Sequence, residues 1–478
     1  MSDTLLRLYH GLPTPLRSAA ATLRGYYLRS WRYGPETDRL VEAALEREHW
    51  TPERWQAWQH DRLAYILHRA VTHVRHYREH WAERRRRGDE APWQDLNNWP
   101  VLEKESVRSD PRAFVADDCR PERMFHEHTS GTTGKSLDLW KSKETVRSLF
   151  ALAEARERLG YGASRHDNWA ILGGQLVKPV SERRPPFWVW NAALNQLYMS
   201  SYHLAPDLVP YYIAALQQYQ IRFLWGYTSS LYALAEYALR VGIPTLRLKV
   251  AITNAEPLYE YQRQSIAKAF GCPVRETYGM AEHVALAAEC SAGRLHISPE
   301  VGLIQVMDGD RLVPRGTTGE LVCTGLLNPD MPLIRYRVGD RGALPAAHRD
   351  CDCGRTLPTI ESIEGRTDDI VFTADGRAVG RLDLNFKSVH EAQVEQEALC
   401  RFRVRYVPAP GFTPEVCRSI VERLQGRLGA VEVTLEEVSE VPRTARGKFR
   451  TVVCSLPEAQ KNALLRQSIV HPSESSLP

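Results

Sequence analysis

The sequence predicts an α/β protein with a mainly parallel sheet, which a helical segment precedes and a small α+β unit follows. Strand-like and helical apolar patterns alternate through the middle of the chain, and this alternation requires crossover connections between parallel strands. Near the N-terminus the apolar residues recur at helical spacing only. From about residue 366 a new strand–helix–strand pattern begins, with its own apolar faces. We therefore divide the chain into residues 1–100, 101–365 and 366–478.

Residues 1–100 are predicted to form helices with one buried stripe. The apolar side chains that share a helix face are Leu63, Ile66, Leu67, Ala70, Val71 and Val74. An arginine-rich run at 83–87 ends before Gly88, and we interpret it as a solvated helix end. The net charge of the 478 residues is only +4, which disfavours a nucleic-acid ligase or another nucleic-acid binder that would use these arginines.

The same patterns predict the elements of the rest of the chain. In the middle region we expect helices at 209–219, 229–241 and 258–270, and strands at 221–225, 246–253 and 274–277. Glycine, proline and aspartate interrupt the short apolar runs of 301–345, which predicts an antiparallel section. In the third unit, strands at 402–406 and 431–435 flank a helix at 416–428.

Composition limits the class of protein. The chain has no run of about 18 apolar residues, so no transmembrane helix is predicted, and the N-terminus lacks the apolar stretch of a signal peptide. In such a chain the nine cysteines indicate reduced thiols or metal ligands, and not a disulfide framework. We therefore expect a cytoplasmic protein.

The strongest motif is a loop rich in hydroxyl groups and glycine. Its residues are Thr129, Ser130, Gly131, Thr132, Thr133, Gly134 and Lys135. The glycines let the backbone approach a ligand closely, and the hydroxyls and the ammonium group suit phosphate oxygens. A Walker A loop does not match, because it requires glycine where Thr129 stands. A polar surface turn is the alternative interpretation.

Three later motifs suit the other parts of a nucleotide. Tyr278 and Glu282 follow a predicted strand, at the strand end where α/β sheets bind ligands. The tyrosine suits stacking on a base, and the carboxylate suits magnesium. Asp340 suits the two hydroxyls of a ribose, Arg366 suits a phosphate or ribose oxygen, and Lys448 suits delivery of a charge to a carboxylate or phosphate. Each motif, taken alone, also fits a charged turn.

The order of these motifs resembles the adenylate-forming superfamily, which includes acyl-CoA synthetases, peptide-synthetase adenylation domains and luciferases. Within it, the chain is most similar to the phenylacetate–CoA ligase family and to the branch associated with capsular polysaccharide biosynthesis. The resemblance implies a large adenylate-forming domain and a small mobile C-terminal domain. One departure is Ser136, because proline usually follows the lysine of the family's phosphate loop.

The resemblance also implies a role for each matching residue. Thr132, Glu282 and Lys448 would be catalytic, Glu282 would hold Mg²⁺, and Asp368 would be the hinge. The residues that would bind ATP are Thr129, Ser130, Gly131, Thr133, Gly134, Lys135, Ala255, Glu256, Pro257, Tyr278, Gly279, Asp340 and Arg366. The implied reaction joins a carboxylic acid to the α-phosphate of ATP, releases pyrophosphate, and transfers the acyl group of the resulting acyl-AMP to coenzyme A.

Two alternatives to this activity stay open. The first is the same adenylation with an amine or a sugar hydroxyl as acceptor. The second is a non-catalytic nucleotide-binding protein of polysaccharide assembly, although a binder needs neither Glu282 nor Lys448. The basic residues that suit the phosphates of coenzyme A are Arg377, Arg381 and Lys387, and those proposed to line the acid pocket are Trp188, Tyr202, His203 and Tyr227. A homodimer is also left open.

A separate cysteine cluster suits zinc. Cys351 and Cys353 are two residues apart, and Cys290 and His296 lie upstream, which together supply four ligands of the type that structural zinc uses. Members of the family that this chain resembles carry a structural zinc at such positions. His283 is the reserve ligand, and two reduced surface thiols are the alternative interpretation.

Overall fold

The computed structural model describes residues 9–128, 137–174, 177–179, 181–205, 207–242, 246–255, 258, 260–363, 370–374, 378–380, 382, 388–408, 411–439, 441, 452–457, 460–461 and 464. The α-helices are α1 Thr14–Arg32, α2 Thr37–Arg47, α3 Pro52–His73, α4 Arg75–Arg86, α5 Lys104–Ser109, α6 Lys143–Ala153, α7 Val209–Gln218, α8 Thr228–Val241, α9 Glu260–Phe270 and α10 Pro414–Leu428. A π-helical turn, Glu154–Arg158, continues α6.

The strands of the first two units begin with β1 Phe125–His128 and continue with β2 Asp138–Lys141, β3 Trp169–Gly173, β4 Trp188–Asn191, β5 Gln196–Ser200, β6 Phe223–Tyr227, β7 Val250–Asn254, β8 Val274–Gly279, β9 Leu286–Glu289, β10 Leu295–Ile297, β11 Gly302–Asp308, β12 Arg311–Leu312, β13 Gly319–Gly325, β14 Tyr336–Ala343, β15 Thr359–Ile360 and β16 Ser362–Ile363. The remaining strands are β17 Ile370–Phe372, β18 Ala378–Gly380, β19 Val389–Ala398, β20 Arg401–Pro408, β21 Glu432–Glu437 and β22 Val452–Cys454.

The central sheet has nine strands in the order β15-β10-β9-β8-β7-β6-β3-β5-β4. Its middle strands β5, β3, β6, β7 and β8 are parallel, so the α/β class and the parallel core of the sheet predicted from the sequence are confirmed. The outer strands β4, β9, β10 and β15 pair antiparallel. Helices α7, α8 and α9 connect the parallel strands and bury a common core, in which Leu216, Leu224, Leu234 and Ile266 are fully enclosed. Both faces of a parallel sheet need such cover.

A second, antiparallel sheet has the order β12-β11-β13-β14-β16, as predicted for residues 301–345. The apolar stripe of α3 packs on this sheet, where Ile66, Leu67 and Ala70 share a core with Cys323 and Tyr336. The N-terminal helices and the second sheet are therefore parts of one packed body. In the described part of the chain, no helix combines the length and the apolar character that crossing a membrane requires.

The arginine-rich run closes α4 as a solvated end, as the sequence indicates. Arg84 pairs with Asp89 at 2.6 Å, and Arg87 pairs with Glu83 at 2.7 Å. Gly88 follows with φ of 80°, a conformation that terminates helices and favours glycine. These arginines are therefore engaged locally.

The third unit contains a four-stranded sheet in the order β21-β20-β19-β22, covered by α10. The predicted strand–helix–strand pattern corresponds to β20, α10 and β21, and β20 and β21 are parallel, as a connecting helix requires. Ile420, Leu424 and Leu428 of α10 are buried against the sheet. Tyr202, which follows β5, packs on the same core.

A buried ion network joins α2, the π-helical turn, the loop between β10 and β11 and the loop before β15. Arg156 donates to both carboxylate oxygens of Glu300, at 2.9 and 2.8 Å, and Arg47 donates to the same carboxylate at 2.8 Å. Arg355 pairs with the buried Glu48 at 2.9 Å. Charged groups persist away from water only when paired in this way, so the network constrains how these four segments pack.

Candidate functional site

The predicted ligand-binding residues that the structure describes lie at or beside one edge of the central sheet. The parallel strands β3, β6, β7 and β8 end at Gly173, Tyr227, Asn254 and Gly279. Because parallel strands point the same way, their carboxyl ends meet at one edge, which is where α/β sheets bind ligands. Ala255 follows β7 at this edge.

Ala255, the residue that follows β7, has a strained backbone conformation. Ala255 is exposed and has φ of 65°, a left-handed conformation that costs an alanine free energy. The side-chain amide of Asn254, the residue before it, lies 3.0 Å from the Gly226 carbonyl oxygen and 3.0 Å from Trp225 Nε1 when its nitrogen is assigned to the carbonyl and its oxygen to the indole N–H. Such strain is typical of ligand-binding turns.

The motifs around Tyr278 and Asp340 are joined directly. The Tyr278 hydroxyl donates to Asp340 Oδ2 at 3.0 Å, although 62 residues separate them in sequence. The residues predicted to contact base and ribose therefore lie side by side. The hydrogen bond fixes the tyrosine ring relative to the carboxylate, as recognition of one nucleoside requires.

Glu282 is held as a buried carboxylate. Its Oε1 accepts from Lys104 Nζ at 2.9 Å and from the Tyr336 hydroxyl at 2.8 Å. Burial opposes ionisation of Glu282, but the Lys104 ammonium and the hydrogen bonds outweigh burial and hold its pKa below the usual value. A buried carboxylate that keeps its charge is a ligand type that magnesium uses, so this geometry is compatible with the role predicted for Glu282.

Lys141 connects the Glu282 turn to the hairpin stem formed by β1 and β2. The buried Lys141 Nζ donates to Glu127 of β1 and, at 2.9 Å, to the Ala281 carbonyl oxygen. Burial lowers the pKa of Lys141. The two strands on either side of residues 129–136 are thereby held beside Glu282.

Several predicted site residues lie outside the described residues. They are the whole loop Thr129, Ser130, Gly131, Thr132, Thr133, Gly134 and Lys135, together with Glu256, Pro257, Arg366, Asp368, Arg377, Arg381, Lys387 and Lys448. Their roles stay predictions.

Of the residues proposed for the acid pocket, Tyr227 ends β6 at the carboxyl edge, and Tyr202 and His203 follow β5 at the same edge. The Tyr227 hydroxyl lies against the Gly174 backbone, where a Cβ would approach within 2.9 Å. His203 is used in packing, because its ring nitrogens contact Ser200 Oγ and the Pro179 carbonyl oxygen at 3.0 and 3.1 Å. Trp188 packs against the core of the central sheet, and Tyr202 packs within the core of the four-stranded sheet of the third unit.

The four predicted zinc ligands converge. Cys290 Sγ and Cys351 Sγ are 3.6 Å apart, and Cys353 Sγ and His296 Nε2 are 3.4 Å apart. These separations are close to the ~3.5–3.8 Å edges of a tetrahedron with Zn–S of ~2.3 Å and Zn–N of ~2.0 Å. His296 Nδ1 contacts the Leu357 carbonyl oxygen at 2.9 Å, which orients Nε2 toward the cluster. His283 lies elsewhere, beside Lys141.

We expect the purified protein to contain one zinc ion per chain at this cluster. The nine cysteines form no disulfide, so their thiols are available. Elemental analysis after chelator-free purification measures the metal content. Cys353→Ser is expected to lower it and to reduce the Tm, whereas Cys400→Ser, at an exposed cysteine, is the matched control. A wild-type protein without zinc would contradict the prediction.

Two partners of Glu282 were missed by the sequence interpretation. Tyr336 is the first residue of the motif assigned to ribose, so its hydroxyl group could have been considered as a hydrogen-bond donor to the site. Lys104 had no signal, because a lysine in the first turn of a short helix is usually solvated. Through these two hydrogen bonds, the Glu282 carboxylate links three separate chain segments.

Comparison with known proteins gives consistent matches. The chain is 26% identical over 373 residues to Protein CapK from Staphylococcus aureus, covering 75% of this chain and 80% of that protein. It is 27% identical over 362 residues to a phenylacetate-coenzyme A ligase of Thermus thermophilus, covering 73% of each. No model of a known protein family matches.

Solved structures match over most of the chain. The structure of 2-hydroxyisobutyryl-CoA ligase in complex with 2-HIB-AMP and CoA in the thioesterification state aligns with a TM-score of 0.55 at 20% identity. The match covers 88% of this chain and 94% of that chain. At this identity the structural match establishes the fold alone.

Proposed function

Since the chain is a phenylacetate–CoA-ligase-like member of the adenylate-forming enzymes, we propose that it activates a carboxylic acid with ATP and transfers the acyl group to coenzyme A. The observation that carries the proposal is the ionised, buried Glu282, with one carboxylate oxygen tied to Lys104 and Tyr336. A protein that only bound a nucleotide would not need to stabilise this charge away from water.

The arrangement accounts for adenylation. The substrate carboxylate oxygen attacks the α-phosphorus, the bond to the β-phosphate oxygen breaks, and pyrophosphate leaves. Tyr278 would position the base, and Asp340 would accept from the ribose hydroxyls, so the α-phosphate is held in line. Glu282 would hold magnesium, which would supply positive charge to neutralise the phosphates. The acyl carbon of the acyl-AMP is then attacked by the thiolate sulfur of coenzyme A, AMP leaves, and the thiol proton goes to solvent.

The acceptor decides between this activity and the first alternative. We expect a thioester when the protein is incubated with ATP, magnesium, coenzyme A and a panel of aryl-acetic, benzoic, short aliphatic and amino acids, with products identified by mass spectrometry. Acyl-AMP that accumulates with coenzyme A, and is consumed only by an amine or a sugar hydroxyl, would show the other acceptor class. A protein that binds ATP and releases no pyrophosphate with any acid would support the non-catalytic alternative.

A substitution of Lys448 tests whether adenylation and acyl transfer use different positions of the C-terminal domain. We propose that Lys448 contacts the substrate carboxylate and α-phosphate during adenylation and is withdrawn by rotation about Asp368 before acyl transfer. Lys448→Ala is then expected to lower adenylation about 100-fold or more and to leave thioester formation from a supplied acyl-AMP nearly unchanged. Single-turnover assays of each half-reaction measure this, and Lys461→Ala is the control. Equal losses in both halves would contradict the model.

The setting of the activity is also a proposal. We place the protein in the cytoplasm and its product in polysaccharide biosynthesis, on the resemblance to the capsular branch. Gene deletion followed by analysis of surface polysaccharide tests the second point. Oligomeric state, with a homodimer still open, is measured by light scattering.

A further inference from the structure

A polar cavity lies at the amino edge of the central sheet, opposite the carboxyl edge described above. It has a volume of about 200 Å³ and is lined by the end of α1, the π-helical turn, and the starts of β3 and β5. Its charged and polar lining includes Arg29, Arg32, Tyr33, Arg158, Arg165 and His166. Trp169 and Asn195 mark the amino ends of the strands, so the strand length of about 13–16 Å separates this cavity from the carboxyl edge.

Positive charge in this cavity exceeds negative charge. Arg158 pairs with the buried Glu154 at 3.0 Å, and Arg165 pairs with the exposed Asp38 at 2.5 Å. Four guanidinium groups therefore face two carboxylates. Among the described residues, Arg29 donates only to the Ala193 carbonyl oxygen at 3.4 Å.

Two buried donors in the cavity lining have no acceptor. Arg32 lies over the Phe150 ring at 4.5 Å and makes no ion pair with any described residue. The Nε atoms of Arg32 and Arg158 are both shielded from solvent and lack a hydrogen-bond partner. Arg158 is 4% exposed, so this donor sits deep in the fold. Because the Arg32 side chain has no hydrogen-bond or ion-pair partner among the described residues, its terminal N–H groups are the donors that an anion in the cavity would satisfy.

We propose that this cavity is a binding site for a small phosphate-bearing anion, separate from the nucleotide site. Arginine matches phosphate oxygens because its planar group donates two parallel hydrogen bonds. The volume is below the range of pockets for drug-sized ligands, so it suits a compact anion. Bound there, the anion joins α1 to the π-helical turn and to the amino edge of the sheet. The site does not depend on the activity proposed above.

The experiment measures the Tm of the full chain at constant ionic strength in sodium phosphate, sodium acetate and sodium chloride. Phosphate is expected to raise the Tm by about 2–3 °C over chloride at saturation. Arg32→Gln is expected to lose most of this shift, and Arg39→Gln, on the exposed side of α2, is expected to keep it. Acetate distinguishes the phosphate group from any carboxylate, and an equal shift in acetate would overturn the phosphate assignment.

The design separates this cavity from the nucleotide site. If phosphate stabilises Arg32→Gln and the wild type equally, the anion binds elsewhere and the proposal is wrong. The proposal is also wrong if phosphate does not raise the Tm of the wild type. Circular dichroism checks the fold of each variant. If Arg32→Gln does not fold, the exposed Arg29→Gln carries the same comparison, with isothermal titration calorimetry of phosphate as the second measurement.

Discussion

Replacing Glu282 with glutamine is expected to lower the rate of adenylation about 100- to 1,000-fold without unfolding the protein. Glutamine has nearly the same shape and still accepts from Lys104 and Tyr336, but it carries no charge for a magnesium ion. Pyrophosphate release at varied ATP and magnesium concentrations measures the effect. We expect the requirement for magnesium to rise as the rate falls.

Tyr336→Phe is the matched control for this prediction. It removes one hydrogen bond of 2.8 Å to the ionised carboxylate and leaves the carboxylate charge and the Lys104 pair in place. A hydrogen bond to a charged group contributes about 1.5–3 kcal/mol to stability, so we expect the cost mainly in the stability of the fold. Because the charge remains, a loss of adenylation rate below about 10-fold is expected. A Glu282→Gln variant that retains a rate within 10-fold of the wild type would show that the carboxylate charge does not take part in adenylation.

The second large effect concerns stability. Arg156→Met removes a buried guanidinium that donates twice to Glu300, and it leaves that carboxylate with Arg47 alone. Breaking a buried pair from one side costs about 3–5 kcal/mol. We expect a fall of this size in the free energy of unfolding, measured by urea denaturation.

Arg418→Met is the control for this prediction. Arg418 pairs with Glu415 at 2.7 Å, but both side chains are 69% exposed, so a change below about 1 kcal/mol is expected. If both variants lost similar stability, the buried network would have no special role.

The same network predicts a dependence on pH. Burial opposes ionisation of Glu300, but Arg156 and Arg47 outweigh it and hold the pKa below its ordinary value of 4.5. A lowered carboxyl pKa contributes stability that is present above about pH 4.5 and is lost as pH falls through the folded-state pKa. The urea midpoint of the wild type should therefore fall in this acidic range more steeply than that of Arg156→Met.

Most elements of the fold can be predicted from local apolar patterns in the sequence. The helices α7, α8 and α9 and the antiparallel section were predictable because each presents an apolar face at a regular period. The strand predicted at 246–253 begins only at Val250, because the Leu248 N–H bonds to the Phe270 carbonyl oxygen and not within the sheet. The apolar pattern alone does not reveal that connection.

The motifs of the candidate site were predictable from the sequence, but the contacts between them were not. Tyr278, Glu282 and Asp340 stand out because each residue type suits one part of a nucleotide. The links from Lys104 to Glu282, across 178 residues, and from Tyr278 to Asp340 depend on tertiary contacts that no local pattern encodes. The burial of the arginines could not be predicted either, because a charged residue is normally assigned to the surface.

The packing of α3 on the second sheet has a consequence for synthesis. Arg62 of α3 donates to the Leu326 carbonyl oxygen, 264 positions later in the chain. At about 5–20 residues per second, the ribosome reaches that partner roughly 13–50 s after it has made α3. During this interval Ile66, Leu67 and Ala70 have no sheet to cover them, and they form an apolar surface of the kind that chaperones bind. Messages that end before β13 therefore encode chains that cannot bury this stripe on the second sheet.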